Sequence, residues 1–144
     1  MGNSTELPND VTIELAVVGA AIRYPSKFND IAKYIVSDEV WYDSRCKVLW
    51  NILAGMIQRR EHIDTMTVAA NLDAVDMALG VDNVFIIDCT ENCGTEGTIE
   101  VYAKKIYEKY LLRLVIESAK EIEKKAMDNK IDALDVLVTA HTNI

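Results

Sequence analysis

Ile106-Tyr107-Glu108-Lys109-Tyr110-Leu111-Leu112-Arg113-Leu114-Val115-Ile116 is the stretch on which the reading of this chain turns. Eight of these eleven residues are apolar or aromatic, and at about 100° per residue they run round nearly the whole circumference of a helix. One core face cannot take them all. Ile99, Ala103, Ile106 and Tyr110 form one stripe, and Tyr107, Leu111, Leu114, Ile122 and Ala126 form another. Two outcomes stay open. Either the rest of the chain folds back over the second stripe, or that stripe is a surface for another copy. Burying four or five such side chains at roughly 1.5 to 3 kcal/mol each, before the cost of association, is enough for a dimer. The candidate self-association residues are therefore Ile99, Ala103, Ile106, Tyr107, Tyr110, Leu111, Leu114 and Ile122.

The periodic segment containing this stretch extends from about residue 99 to 127. Before it lies the clearest break in the chain, Cys93-Gly94-Thr95-Glu96-Gly97, with Thr98 placed to cap the helix. After it, Asp128-Asn129-Lys130 turns into a last helix with Leu134, Leu137 and Val138 on one face. Residues 98–144 thus read as a two-helix antiparallel hairpin. Along the long helix, Lys120, Lys124 and Lys125 recur with Glu117 and Glu121 at the spacing of i,i+4 pairs on a solvated face.

Residues 8–94 read as a compact multi-helix head. Pro8-Asn9-Asp10 offers cap chemistry for a helix from about 10 to 23, whose middle, Ala16-Val17-Val18-Gly19-Ala20-Ala21, is nearly free of polar groups. Such a helix is buried on several sides, and its small residues let a neighbour come close. Pro25 suits the start of a second helix carrying Phe28, Ile31, Ala32 and Ile35 and closing near Ser37-Asp38. Asp43-Ser44 caps a third with Val48, Leu49, Ile52, Leu53, Met56 and Ile57 on its inner stripe. Ile63-Asp64-Thr65-Met66-Thr67 turns into a short helix with Val68, Ala69 and Leu72. Val75, Met77 and Leu79 continue the apolar supply up to a stop at Gly80. Val81 to Asp88 is rich in β-branched residues and on propensity alone suits a strand. With no second strand to pair with, it is read as helix, and the fold class as all-α.

Composition agrees. The 144 residues contain two prolines and six glycines, too few to punctuate many short strands. The formal charge of −8 repels phosphate backbones. Residues 1–96 carry 7 basic and 15 acidic side chains, whereas residues 97–130 carry 8 and 6. The three cysteines, Cys46, Cys89 and Cys93, form neither a CxxC pair nor a set with His at zinc-ligand spacing, so a reducing cytoplasm without a metal site fits best. No apolar run approaches a membrane span. Phosphate-binding, nucleophile-elbow and zinc-protease motifs are missing. His62 and His141 read as surface histidines, and Asp73 with Asp76 as a solvated acidic face. No catalytic, metal or cofactor-binding residue is assigned. A stand-alone helical DNA-binding regulator remains the alternative function, against which the negative charge argues. A small enzyme using acidic residues has no constellation behind it.

The order of these features resembles the N-terminal domain of DnaB-type replicative DNA helicases. Pro8 is followed by Glu14-Leu15-Ala16-Val17-Val18-Gly19. Pro25, Trp41-Tyr42 with Arg45, and Ile63-Asp64 with Thr67-Val68 come next. Ile99-Glu100, then Tyr102-Ala103-Lys104-Lys105-Ile106 and Glu108-Lys109, with Leu112-Arg113 and Ile116, close the series over residues 8–126. The resemblance implies a helical head plus a hairpin that pairs between subunits, giving dimers and a hexameric collar. It further implies docking of the primase carboxyl-terminal domain or of a helicase loader, contact with DNA only through the full-length assembly, and a bacterial cytoplasm. Primase-contact residues do not follow from it. Val81 to Cys93 departs from the family in lacking its Gly-Gly-aromatic pattern, though the resemblance favours helix there. The ATPase motor that would use ATP and Mg is missing from the sequence, so the chain is expected to be either an excised domain or a stand-alone homologue, and its end near the expected interdomain linker favours excision.

Overall fold

Asp10 starts the first helix by accepting the Ile13 amide hydrogen at 3.1 Å, and the apolar run behind it winds into α1, Val11–Arg23. The computed structural model describes residues 6–128 and 132–142, and every regular element among them is helical. Seven consecutive residues, Ala16 to Ile22, are buried in α1. A helix buried on all sides needs neighbours on all sides, and α1 has them, packing against α3, α4, α6 and α7 of the elements defined below. Gly19 sets the tightest of these crossings. A Cβ there would overlap the Cys89 carbonyl group and lie 3.0 Å from the Thr90 nitrogen. The small residues of α1 thus let another helix backbone come into direct contact.

One 3-10 turn, Pro25–Lys27, leads into α2, Phe28–Ala32, which stops short of the expected end near Ser37. Beyond it the helical bonds to Lys33 and Ile35 stretch to 3.3 Å and Tyr34 turns back to Ile31, so Ile35 reaches the core from a turn. A second 3-10 turn, Asp38–Val40, precedes α3, Ser44–Gln58, whose cap is Asp43 bonded to the Arg45 amide at 2.8 Å. Leu49, Leu53 and Met56 face inward as expected, joined by Cys46 and Trp50. Phe28 stacks on Trp50 with ring centroids 4.3 Å apart, which ties α2 to α3.

Two short helices, α4 (Thr65–Ala70) and α5 (Ala74–Ala78), owe their starts to reciprocal capping: Asp64 with Thr67, and Asp73 with Asp76. The second pair is the acidic face of the sequence reading, and its carboxylates satisfy each other's backbone N–H groups. Val75, Met77 and Leu79 do not supply the core; each is more than half exposed, because a five-residue helix held by caps presents them outward. Gly80, at φ +94°, ends this segment. The ambiguous stretch is helical: α6, Asn83–Glu91, is capped by Asp82 and turns Phe85, Ile86 and Cys89 inward at helical spacing.

The long helix α7 runs Ile99–Met127 and the last, α8, runs Ala133–Thr142 and packs on α7. Thr98 does not cap α7 with its side chain. Its hydroxyl donates to the Thr95 carbonyl, and a 3-10 turn, Glu96–Thr98, leads the chain in. Of the expected turn Asp128-Asn129-Lys130, only Asp128 lies among the described residues, as residues 143 and 144 also lie outside them. The boundary expected between residues 94 and 98 does not coincide with the packing. Ile99, Ala103 and Ile106 belong to the same core as α1, α3 and α6, so the first half of α7 is part of the head.

Candidate self-association surface

The two stripes of α7 have different fates. Ile99, Ala103 and Ile106 are 2%, 0% and 1% exposed and sit against the head. As candidates for self-association these three are corrected: they are core residues, since α7 lays this stripe across α1 and α2. Tyr110 is half-buried at the edge of that core. Tyr107 is also half-buried, its ring 6.5 Å from Tyr34 and 6.3 Å from Tyr110.

The head leaves the second stripe largely uncovered. Leu111 and Leu114 are 40% and 39% exposed, Ala126 is exposed, and Ile122 is half-buried. Leu111, Leu114, Val115 and Ile122 lie within an arc of about 100° on the helix. Leu112 and Val115, about half exposed, widen the stripe. Sequence reasoning had omitted both, although they stand in the same apolar run. On α8 the face that carries Leu134, Leu137 and Val138 is exposed, and Val136 is the buried residue. At about 100° per residue Leu134 and Val138 lie roughly opposite Val136 and Leu137 to one side, which leaves Val136 for the hairpin contact. The hairpin thus carries exposed apolar side chains on both helices, more than scattered surface hydrophobics account for.

Where α7 leaves the head, a buried cation and a buried carboxylate organise the junction. Arg113 is 6% exposed; its Nη1 donates to the Pro8 carbonyl at 2.9 Å and its Nη2 to the Val40 carbonyl at 2.8 Å. Its guanidinium also lies over the rings of Tyr42 (5.5 Å) and Tyr110 (5.8 Å). Glu14, 1% exposed, accepts the Tyr42 amide hydrogen at 3.0 and 3.1 Å and that of Asp43 at 2.9 Å. Burial pushes the Glu14 carboxyl above its ordinary value, and this outweighs the pull of the two amides and of the Arg113 charge in the other direction. Asp43 goes the other way. Burial raises it, but hydrogen bonds from the Arg45 side chain and amide hold it below its ordinary value.

The Glu14 shift has a measurable consequence. A carboxyl raised in the folded state adds stability that is fully present below its unfolded value, about 4.5, and is lost as pH rises through the folded value. The denaturant midpoint of the parent is therefore expected to fall relative to that of Glu14→Gln, which keeps an acceptor for the amides, as pH climbs from 4.5. Parallel pH profiles would contradict this.

Chemistry elsewhere is sparse. Among the described residues no three His, Cys, Asp or Glu side chains gather as metal ligands. The three thiols are buried, and burial pushes Cys89 up to about 12 and Cys46 higher still. His62, mostly exposed, lies 3.1 Å from Asp64. Among the pairs expected along α7, Lys125 reaches Glu121 at 3.8 Å. No helix among the described residues is long and apolar enough to cross a membrane.

Comparison with known proteins gives this arrangement a context. A family model described as the DnaB-like helicase N terminal domain matches residues 6–108. The replicative DNA helicase DnaC of Bacillus subtilis (strain 168) is 28% identical over 138 residues, covering 95% of this chain and 30% of that protein. The replicative DNA helicase DnaB of Geobacillus stearothermophilus is 24% identical over 132 residues, covering 91% of this chain and 29% of that protein. The chain therefore spans about three tenths of the length of these relatives. The crystal structure of the N-terminal domain of DnaB helicase from Mycobacterium tuberculosis superposes with a TM-score of 0.85 at 20% identity, covering 96% of this chain and 98% of that one.

Proposed function

This chain belongs to the family of DnaB-like helicase N-terminal domains, and from that membership we propose that it works by geometry, pairing with a second copy through α7 and α8 and offering the paired head as a docking platform. The observation that carries the proposal is the apolar surface left on the hairpin after the head has taken its own stripe, with Leu111, Leu114 and Val115 on α7 and Leu134, Leu137 and Val138 on α8. An isologous pair buries the same patch on both copies, so one stripe on each suffices. In the parent helicase such pairs would build a hexameric collar and hold the primase carboxyl-terminal domain, or a helicase loader, beside the motor. ATP and Mg would act in that motor, and DNA would be met only by the full assembly.

Docking has its own test. The chain is expected to co-sediment with a primase carboxyl-terminal domain at tens of micromolar, while duplex DNA at physiological salt stays unbound because the charge of −8 opposes it. Failure to co-sediment would remove the docking role. Tight, salt-sensitive duplex binding would replace this reading with that of a DNA-binding regulator.

A further inference from the structure

We propose that Arg113 is the positioning residue of the hairpin: by joining α7 to two separate carbonyls of the head, it fixes the direction in which the second half of α7 projects. The inference rests on the pairing of hairpins proposed above only for its consequence, since the direction itself is a property of one chain. Arg113 is the last buried residue of α7 among those described; from Leu114 to Met127 the helix has no side chain in the core. The two carbonyls belong to separate segments of the head: Pro8 in the lead to α1, and Val40 in the turn before α3. Tyr42, whose ring lies beside the guanidinium, has its amide held by Glu14 of α1. One cation therefore references α7 to three parts of the head at once.

A lysine cannot do this, because a single ammonium lacks the planar fork that meets two carbonyls in fixed directions. Nor is stability the main return. Desolvating a cation is costly, and an apolar side chain of similar size would serve a core as well or better. The apolar stripe of Ile99, Ala103 and Ile106 seats the first half of α7; what an apolar side chain at 113 cannot supply is a pair of directed bonds to two carbonyls where the helix leaves the head. At 1.5 Å per residue the helix from Arg113 to Met127 is a lever of about 21 Å, so a tilt of roughly 10° at its base displaces its tip by about 4 Å. A self-matching interface does not absorb a displacement of that size.

The test uses the full chain with spin labels on cysteines introduced at Met66 and Met127, which are 81% and 78% exposed, whereas the three native thiols are buried. Electron–electron distances are measured in a large excess of unlabelled chain, so that only pairs within one molecule contribute. The parent background is expected to give one narrow distance. Arg113→Met should broaden or shift it by several ångströms while Trp41 and Trp50 fluorescence stays that of a folded head, and Arg113→Lys should not restore it. If a folded Arg113→Met chain keeps the parent distribution, the inference is overturned. If that variant does not fold, Arg113→Lys decides by the same criterion. Where only a tenth of molecules hold the competent direction, self-association weakens about tenfold for each copy. A parent chain that is monomeric would defeat the pairing of hairpins, and the distance measurement would still decide the role of Arg113.

Discussion

Gly19→Ala is expected to destabilise the chain by about 3 kcal/mol or more, at the upper end of what overpacking costs. Two effects oppose each other. Alanine is the better helix former by about 1 kcal/mol, which favours the variant. Against this, the new methyl would occupy the position of the Cys89 carbonyl group, and a backbone carbonyl cannot swing aside as a side-chain tip can. The crossing of α1 and α6 must open, and Val18, Ile22 and Ile86 then lose close contacts around it. A chain of this size has total stability of about 5–15 kcal/mol, so the loss is a large share of it. Chemical denaturation followed by Trp fluorescence checks it. A variant as stable as the parent would show that α1 and α6 do not touch where the structure puts them.

The second large effect separates the two stripes of α7. Ile106→Asp is expected to unfold the head, because it removes a fully buried side chain, worth about 2–5 kcal/mol, and places a carboxylate where burial costs several more. Leu111→Asp, five residues on and 40% exposed, is expected to change stability by about 1 kcal/mol or less when both chains are compared at concentrations low enough to be monomeric. Far-UV circular dichroism and thermal melts distinguish the two. Were Ile106→Asp to fold normally, the first stripe would not be core, and the division of α7 between head and hairpin would be wrong.

This contrast marks how far the sequence was legible. The bounds of α7 could be read, because a break at Gly94 and Gly97 and a turn after Met127 frame an uninterrupted periodic run. Which stripe the head would claim could not, since periodicity groups residues by angle and says nothing of what lies opposite each face. That is why Ile99, Ala103 and Ile106 were placed among the association candidates and are core. Which way the apolar face of α8 points could not be read for the same reason. Its more apolar side, Leu134 with Leu137 and Val138, is the exposed one. The strand-like composition of α6 was outweighed by the Asp82 cap and by the lack of any strand to pair with among the described residues.

Arg113 and Glu14 were missed as a structural pair, although each left a mark. Ile99, Ile106 and Arg113 recur every seven residues, so the arginine sits on the buried stripe and a cation there needs carbonyl acceptors. Glu14 opens a helix that is then free of polar groups through Ala21, a setting in which a carboxylate needs backbone N–H partners. Both partners lie in turns, Val40 and Tyr42-Asp43, whose position no helical pattern specifies. The exposed hairpin, by contrast, follows from the one fact legible at the outset, that the run from Ile106 to Ile116 has more apolar circumference than one neighbour can cover.

The mass of the chain in solution tests the central claim most directly. Sedimentation equilibrium at tens of micromolar is expected to give twice the chain mass for the parent and the single-chain mass for the double variant Leu111→Asp, Leu114→Asp, with unchanged helicity in both. A parent chain that remains strictly monomeric at those concentrations, or a double variant that dimerises as the parent does, would contradict the account.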